Sequence, residues 1–218
     1  MDANIPYVYL LGNHDSEGFL NRTQIVQLDQ TNPLGVRNSC EGIPDTTNFI
    51  LPIYSSRNPY ELAVNVWMFD NGDIGCDGFI SSWGCIEQFQ LDWYSKESDK
   101  IRERYGTNIH HIAFFHVPVP EILDLYNDGN FYGEKNDVLG CPYLNTGFFE
   151  LAKKKGDISG MFFAHDHSNS FGGWYKGIEL VYGIKTGYNT YGDTRGCRVI
   201  KLKETYNEQG ELTVERSH

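Results

Sequence analysis

An α/β domain is the fold class this sequence predicts, and three observations carry it. Short apolar runs of strand character alternate with stretches whose apolar residues recur at helical spacing. Three of the apolar runs end abruptly in polar residues of metal-ligating type. The 218 residues are 40 % hydrophobic and 22 % charged, a balance that suits one sizeable core.

The elements follow in chain order. Residues 7–11 form an apolar run ending at Gly12, a strand that enters a loop. Phe19, Leu20, Thr23, Val26 and Leu28 make a helical stripe. Residues 48–53 and 62–69 are β-like, and a Gly- and Asp-rich loop follows over 70–78. Ile86, Phe89, Trp93, Ile101 and Tyr105 predict a helix through the early 90s and beyond. Then come a strand at 109–115, helices at 120–126 and 146–154, and strands at 158–164, 180–184 and 198–202. Residues 1–203 read as one domain, and 204–218 as a polar tail expected to pack poorly.

Charge and composition exclude several classes. The net charge is -11 and the few basic residues form no compact patch, so no nucleic-acid partner is expected. Lys153, Lys154 and Lys155 read as the exposed end of a helix. No run of about 18 apolar residues exists, so no membrane span is expected. The first residues lack a basic start and a small-residue cleavage site, and so do not read as a signal peptide. Five cysteines (Cys40, Cys76, Cys85, Cys141 and Cys197) include no C-x-x-C pair. Cys76 and Cys85 could bridge in an oxidising compartment, but free thiols are the preferred reading. Asn21-Arg22-Thr23 is a glycosylation sequon of low specificity. A secreted or vacuolar location is preferred to the cytoplasm.

The candidate chemistry sits in three loops, each after an apolar strand. They are Gly12-Asn13-His14-Asp15, His116 in FFHVPVPE, and His165-Asp166-His167 in MFFAHDHSN. Ligating side chains at the ends of buried strands suit a site on the rim of a sheet. Asn oxygen and imidazole nitrogen suit Mn, Fe or Zn, and no thiolate is among them. Residues i and i+2 of an extended chain share a side, so His165 and His167 can grip one ion or splay onto two. Asp166 then points away and reads as structural. Taken singly, the H-x-H can be a chance or surface pair, His116 a core histidine, and Asn13-His14 a turn. Their joint occurrence after three strands favours one shared site.

The ordered set GNHD, a strand-end His and an A-H-x-H motif resembles the calcineurin-like metallophosphoesterases. The segments IPYVYLLGNHDSE, FDNGD, QLDWY, IAFFHVPVPE, FFAHDHSN and GYNTYGDTRGCRVI narrow the likeness to the branch of plant purple acid phosphatases and yeast Dcr2. The resemblance spans residues 5 to 200 and implies part of a four-layer α/β/β/α sandwich. It implies two divalent or trivalent ions (Fe, Mn or Zn), with Asn13, His116 and His165 on the second and His167 on the first. It gives His14 the place beside the leaving group and Asp15 the task of orienting the loop. His110, His111 and His218 match no motif and read as structural or exposed. Ala164 stands where the family usually has Gly, a change expected to be tolerated.

Such enzymes also carry a D-x-H or D-x-G motif and a G-D motif before GNHD. Only eleven residues precede Gly12, and neither motif fits; Asp2 has no suitable context. The resemblance therefore implies an N-terminally truncated domain, without its first strands and without the carboxylate that bridges the ions. The expected function is metal-dependent hydrolysis of phosphomonoesters, on a small molecule or a phosphoprotein, impaired in this chain. An inactive remnant or binding module is the alternative, as is a phosphodiesterase on the same fold. The Gly- and Tyr-rich loop 188–193 either lines the substrate side or simply turns and packs.

Overall fold

A computed structural model of the protein describes residues 4–36, 47–107 and 109–218. Asp2 and Cys40 lie outside these described residues. The centre is a six-stranded mixed sheet in the order β1-β2-β5-β6-β8-β7. Its strands are β1 (Phe49–Tyr54), β2 (Leu62–Phe69), β5 (His110–Phe115), β6 (Ile158–Phe163), β7 (Gly172–Tyr175) and β8 (Ile178–Tyr182). The inner strands β2, β5, β6 and β8 run parallel, and the edge strands β1 and β7 pair antiparallel to them.

β2 shows why these runs form inner strands. All eight residues of LAVNVWMF are buried, as a strand covered on both faces requires. Val64, Val66 and Met68 point to one core, and Trp67 and Phe69 to the other. The Trp67 and Phe69 face is covered by three helices: α2 (Gln88–Tyr105), α3 (Glu121–Asp128) and α4 (Phe148–Lys155). α2 starts at a Glu87–Gln90 capping box and stops at Gly106, whose φ of 87° suits only a residue without Cβ. Arg102 and Arg104 in its last turn oppose the negative end of the helix dipole.

The opposite face is covered by Val8 and Leu10 and by a hairpin of β9 (Lys201–Tyr206) and β10 (Leu212–Ser217). Residues 204–218 are thus not a loosely packed tail. Val214 is buried in the sheet face, and Arg216 pairs with the buried Glu179 at 2.6 Å. Gly160 makes room for this, since a Cβ there would lie 2.9 Å from the guanidinium. The polar composition hid the hairpin because its outer face is wet. In the described residues, helices, sheet and hairpin stack in that order, and this hairpin is what they contain of a second β layer.

Other sequence expectations need correction. Residues 7–11 form no strand of the sheet. Tyr7 makes an isolated bridge to Gly35, and the segment crosses the sheet face on Val8 and Leu10. The first helix, α1 (Arg22–Asp29), begins later than its apolar stripe because Asn21 caps it, with Gln24 completing the box. Phe19 and Leu20 therefore lie outside it and exposed. Cys76 and Cys85 are not free thiols; they form a disulfide. It closes the small hairpin of β3 (Ile74–Cys76) and β4 (Phe79–Trp83), whose first strand lies in the stretch 70–78 that the sequence reads as loop.

Candidate metal centre

Three loops emerge at the C-terminal ends of β2, β5 and β6, where parallel sheets place their ligand sites. The loop after β5 carries His116, the loop after β6 carries His165 to His167, and the N-terminal segment brings Asn13 over them. Phe69 pairs with Phe115 at the strand ends, and Ala164 N–H donates to the His116 carbonyl at 3.1 Å. Parallel register thus sets the spacing between the two histidine loops.

Asn13, His116 and His165 converge. Asn13 Oδ1 lies 2.8 Å from His116 Nε2 and 3.2 Å from His165 Nδ1. The two rings meet edge to face, 5.3 Å between centroids. Both are kept neutral. Burial pushes His116 down to about 3 and His165 down to about 4, and the neighbouring histidines add to it. An imidazole needs its free lone pair to ligate an ion, so this environment prepares donors. Among the described residues, no three His, Cys, Asp or Glu side chains cluster tightly enough to hold an ion. The Asn13 amide oxygen is the further polar atom that stands beside the two imidazoles and could serve as a third donor. This donor set fits one Mn, Fe or Zn ion incompletely filled by protein.

His167 neighbours that trio but makes contacts of its own. His165 has a φ of 68°, a left-handed conformation uncommon for a residue with a side chain. The segment is therefore not extended through His165. His167 Nδ1 meets Thr190 Oγ1 at 2.6 Å, and its ring stacks on Tyr191 with centroids 4.3 Å apart. The loop 188–193 thus touches the site through His167. Asp166 turns inward, accepting from Tyr182 O–H at 2.5 Å and from Gly140 N–H at 3.0 Å.

His14 lies exposed on the rim, its Nδ1 2.8 Å from Glu17 Oε1. Asp15 Oδ2 accepts from Gly12 N–H at 2.6 Å and so closes the turn beneath Asn13. Gly12 itself is required by close approach, since a Cβ there would lie 2.9 Å from the His116 ring. Ala164 is exposed, so its extra methyl group displaces nothing. His110, His111 and His218 lie elsewhere: His111 is buried and accepts from Trp67 Nε1–H at 2.9 Å.

Several supporting residues escaped sequence reading. Arg22 donates to Asp70, to Asp73 and to the Gly12 carbonyl, the last at 2.8 Å. It ties α1 and the loop after β2 to the turn that carries Asn13. Asn71 donates to the Val117 carbonyl at 2.7 Å and accepts from Val117 N–H at 3.2 Å, which clamps the His116 loop. Trp83 stands edge-on to His165 with centroids 4.5 Å apart. None of these belongs to a ligating motif, although Asp70, Asn71 and Asp73 lie in the segment FDNGD that carries part of the family likeness.

The chain belongs to the calcineurin-like phosphoesterase family, whose model matches residues 1–169. That family comprises hydrolases acting on phosphoric esters, and its members generally use two divalent metal ions. The chain is 27 % identical over 226 residues to probable inactive purple acid phosphatase 29 of Arabidopsis thaliana, covering 95 % of this chain and 58 % of that protein. It is 29 % identical to probable inactive purple acid phosphatase 28 of the same plant, covering 93 % and 56 %. It is 26 % identical over 181 residues to phosphatase DCR2 of Saccharomyces cerevisiae, covering 77 % and 30 %. The chain spans at most about three fifths of the length of these relatives.

Proposed function

We propose that the protein is a metal-dependent phosphatase that hydrolyses phosphomonoesters, taking a phosphorylated small molecule or phosphoprotein as substrate. The observation that carries this is the convergence of Asn13 Oδ1 with His116 Nε2 and His165 Nδ1 at 2.8 and 3.2 Å. These three would hold one ion and His167 the other. Two such ions, when bound, supply charge neutralisation of the phosphate and an activated water. Asp15 and Arg22 hold the Asn13 turn in place. His14, steadied by Glu17, offers its other ring nitrogen as proton donor to the departing oxygen. The net charge of -11 argues against a nucleic-acid substrate. No helix among the described residues is long and apolar enough to cross a membrane. The Cys76–Cys85 disulfide favours a secreted or vacuolar compartment.

The test is metal content and p-nitrophenyl phosphate turnover of the full-length protein after loading with Mn, Fe or Zn. Bound metal with turnover supports the reading, and neither metal nor turnover refutes it. The second reading is a domain that keeps the loops as scaffold without catalysis. Two observations favour it: His167 faces Thr190 and Tyr191, and two relatives are named probable inactive phosphatases. Metal binding with no turnover of any phosphate ester would select it.

A further inference from the structure

The loop that follows β8 reaches back to the histidine site and takes hold of one ring. Residues 185–196 are closed at their base, where Gly196 N–H donates to the Lys185 carbonyl at 3.0 Å. Lys185 Nζ crosses the loop and donates to the Thr190 carbonyl at 3.0 Å and to the Tyr191 carbonyl at 2.5 Å. Gly192, with a φ of 84°, lets the chain pass close to Ser168, since a Cβ there would lie 2.5 Å from Ser168 Oγ. So braced, the loop meets His167 in three ways. Thr190 Oγ1 lies 2.6 Å from His167 Nδ1. The Tyr191 ring stacks on the imidazole, with 18° between the planes and 4.3 Å between centroids. The Tyr191 hydroxyl oxygen accepts from His167 backbone N–H at 3.3 Å.

These contacts engage one ring face and one ring nitrogen. Among the described residues the other nitrogen, Nε2, has no hydrogen-bond partner. The ring is near enough to His116 and His165 for its charge to act on both. A neutral imidazole carries one N–H, so the group facing Nδ1 decides what Nε2 can do. With Nδ1–H donating to Thr190 Oγ1, the Nε2 lone pair is bare and can ligate. With the hydroxyl donating instead, Nε2 bears the proton and cannot. An ion at Nε2 requires the first arrangement, and ligating histidines almost always make such an outward bond. The Tyr191 stack sets the ring plane but tolerates a half-turn about the Cβ–Cγ bond. The bond to Thr190 tells the two ring edges apart. We propose that Thr190 is a positioning residue for His167: its hydroxyl accepts the Nδ1 proton and so selects the tautomer and ring edge that offer Nε2 to a divalent cation. Lys185 holds Thr190 and Tyr191 in place for this task. The inference rests on the reading of His167 as a ligand. The contacts that also suit a silent scaffold are here those of an oriented donor.

Nuclear magnetic resonance reads the tautomer without any need for turnover. The full-length protein carries isotope-labelled histidine and is studied at about pH 8, where an imidazole is neutral. Ring nitrogen shifts give the tautomer of each histidine, and the His167 signals are assigned by their loss in His167→Gln. Without metal, His167 is expected in the Nδ1–H form in the parent and in Thr190→Ser. Thr190→Val keeps the shape, loses the hydroxyl and lies at an exposed position, so the fold tolerates it. It is expected to move His167 toward the Nε2–H form while the His111 signals stay unchanged. Zinc ion alone is then added stepwise. In the parent it shifts His167 Nε2; Thr190→Val weakens that step about tenfold or more, and Thr190→Ser stays within about twofold of the parent. An Nε2–H form in the metal-free parent, or the same tautomer in parent and Thr190→Val, overturns the role of Thr190. Zinc that reaches His167 equally well in parent and Thr190→Val also overturns it, and leaves the ligand reading standing. Zinc that never reaches His167 in the parent refutes the ligand reading, while the tautomer in the metal-free protein still decides what Thr190 does.

Discussion

Replacing Arg22 by Met should destabilise the whole site-bearing end of the molecule. Arg22 is 16 % exposed at its side chain and sits between Asp70, 2 % exposed, and Asp73, 32 % exposed. Removing one partner of a buried ion pair costs about 3–5 kcal/mol, because the other charge stays buried. Asp70 keeps donors in Gly72 N–H at 3.0 Å, Thr47 Oγ1 at 3.2 Å and Thr47 N–H at 3.3 Å. Asp73 keeps Ser16 Oγ at 2.5 Å and can reach water. The loss should therefore fall at or just below the lower end of that range, about 2–3 kcal/mol. For a chain of this size that lowers Tm by roughly 5–10 °C. Thermal unfolding followed by circular dichroism reads it directly. The triple variant R22M/D70N/D73N removes the stranded charges and should recover at least half of the loss. An R22M protein melting within about 2 °C of the parent would refute the reasoning.

Four further outcomes follow from the same geometry. Gly12→Ala should push the His116 ring out of contact, since the new Cβ starts 2.9 Å away; overpacking of this kind costs about 1–3 kcal/mol, and metal affinity measured by calorimetry should fall with stability. Arg216→Met should cost about 2–3 kcal/mol by leaving the buried Glu179 with only Tyr132 O–H at 2.8 Å and His218 at 3.4 Å, and a variant as stable as the parent in urea would mean that this ion pair does not hold the C-terminal hairpin. Opening the Cys76–Cys85 bridge by the double Ser variant should cost about 2–3 kcal/mol, from the loop of nine residues' separation, and urea midpoints under oxidising conditions check it. His111 is held down to about 4 by burial against an unfolded value of about 6.5. Its unfolded form binds more protons in that window, so its contribution to stability is lost as pH falls from about 6.5 to about 4; His111→Gln should flatten the slope there by up to one proton.

The sequence is legible where one local pattern decides. Leu62 to Phe69 reads as strand because a chain buried on both faces is nearly continuous in apolar residues, here broken only by Asn65. The same logic marks the runs that lead into His116 and His165, so the loops of the candidate site stand out from residue pattern alone. Helix α2 is legible from its apolar stripe, and Gly106 marks where it ends. The order of the ligating types along the chain then points to the family.

What tertiary structure alone decides is which of those groups meet. His116 and His165 lie 103 and 152 residues from Asn13 along the chain, and parallel strand register brings both within 3.2 Å of it. His167, two residues from His165, stays beside the site but faces Thr190 and Tyr191, and the left-handed angle at His165 is one that no residue type announces. Arg22 finds Asp70 and Asp73, and Trp83 finds His165, through folding over distances that periodicity does not encode. The C-terminal hairpin looks like a solvated tail because only Val214 and its neighbours face inward, while Arg216 is buried by pairing with Glu179. Apolar pattern is a property of the residue and its near neighbours, so a sequence carries it openly. Pairing of charges, rings and ligands depends on distances in space, which exist only after the sheet has set them.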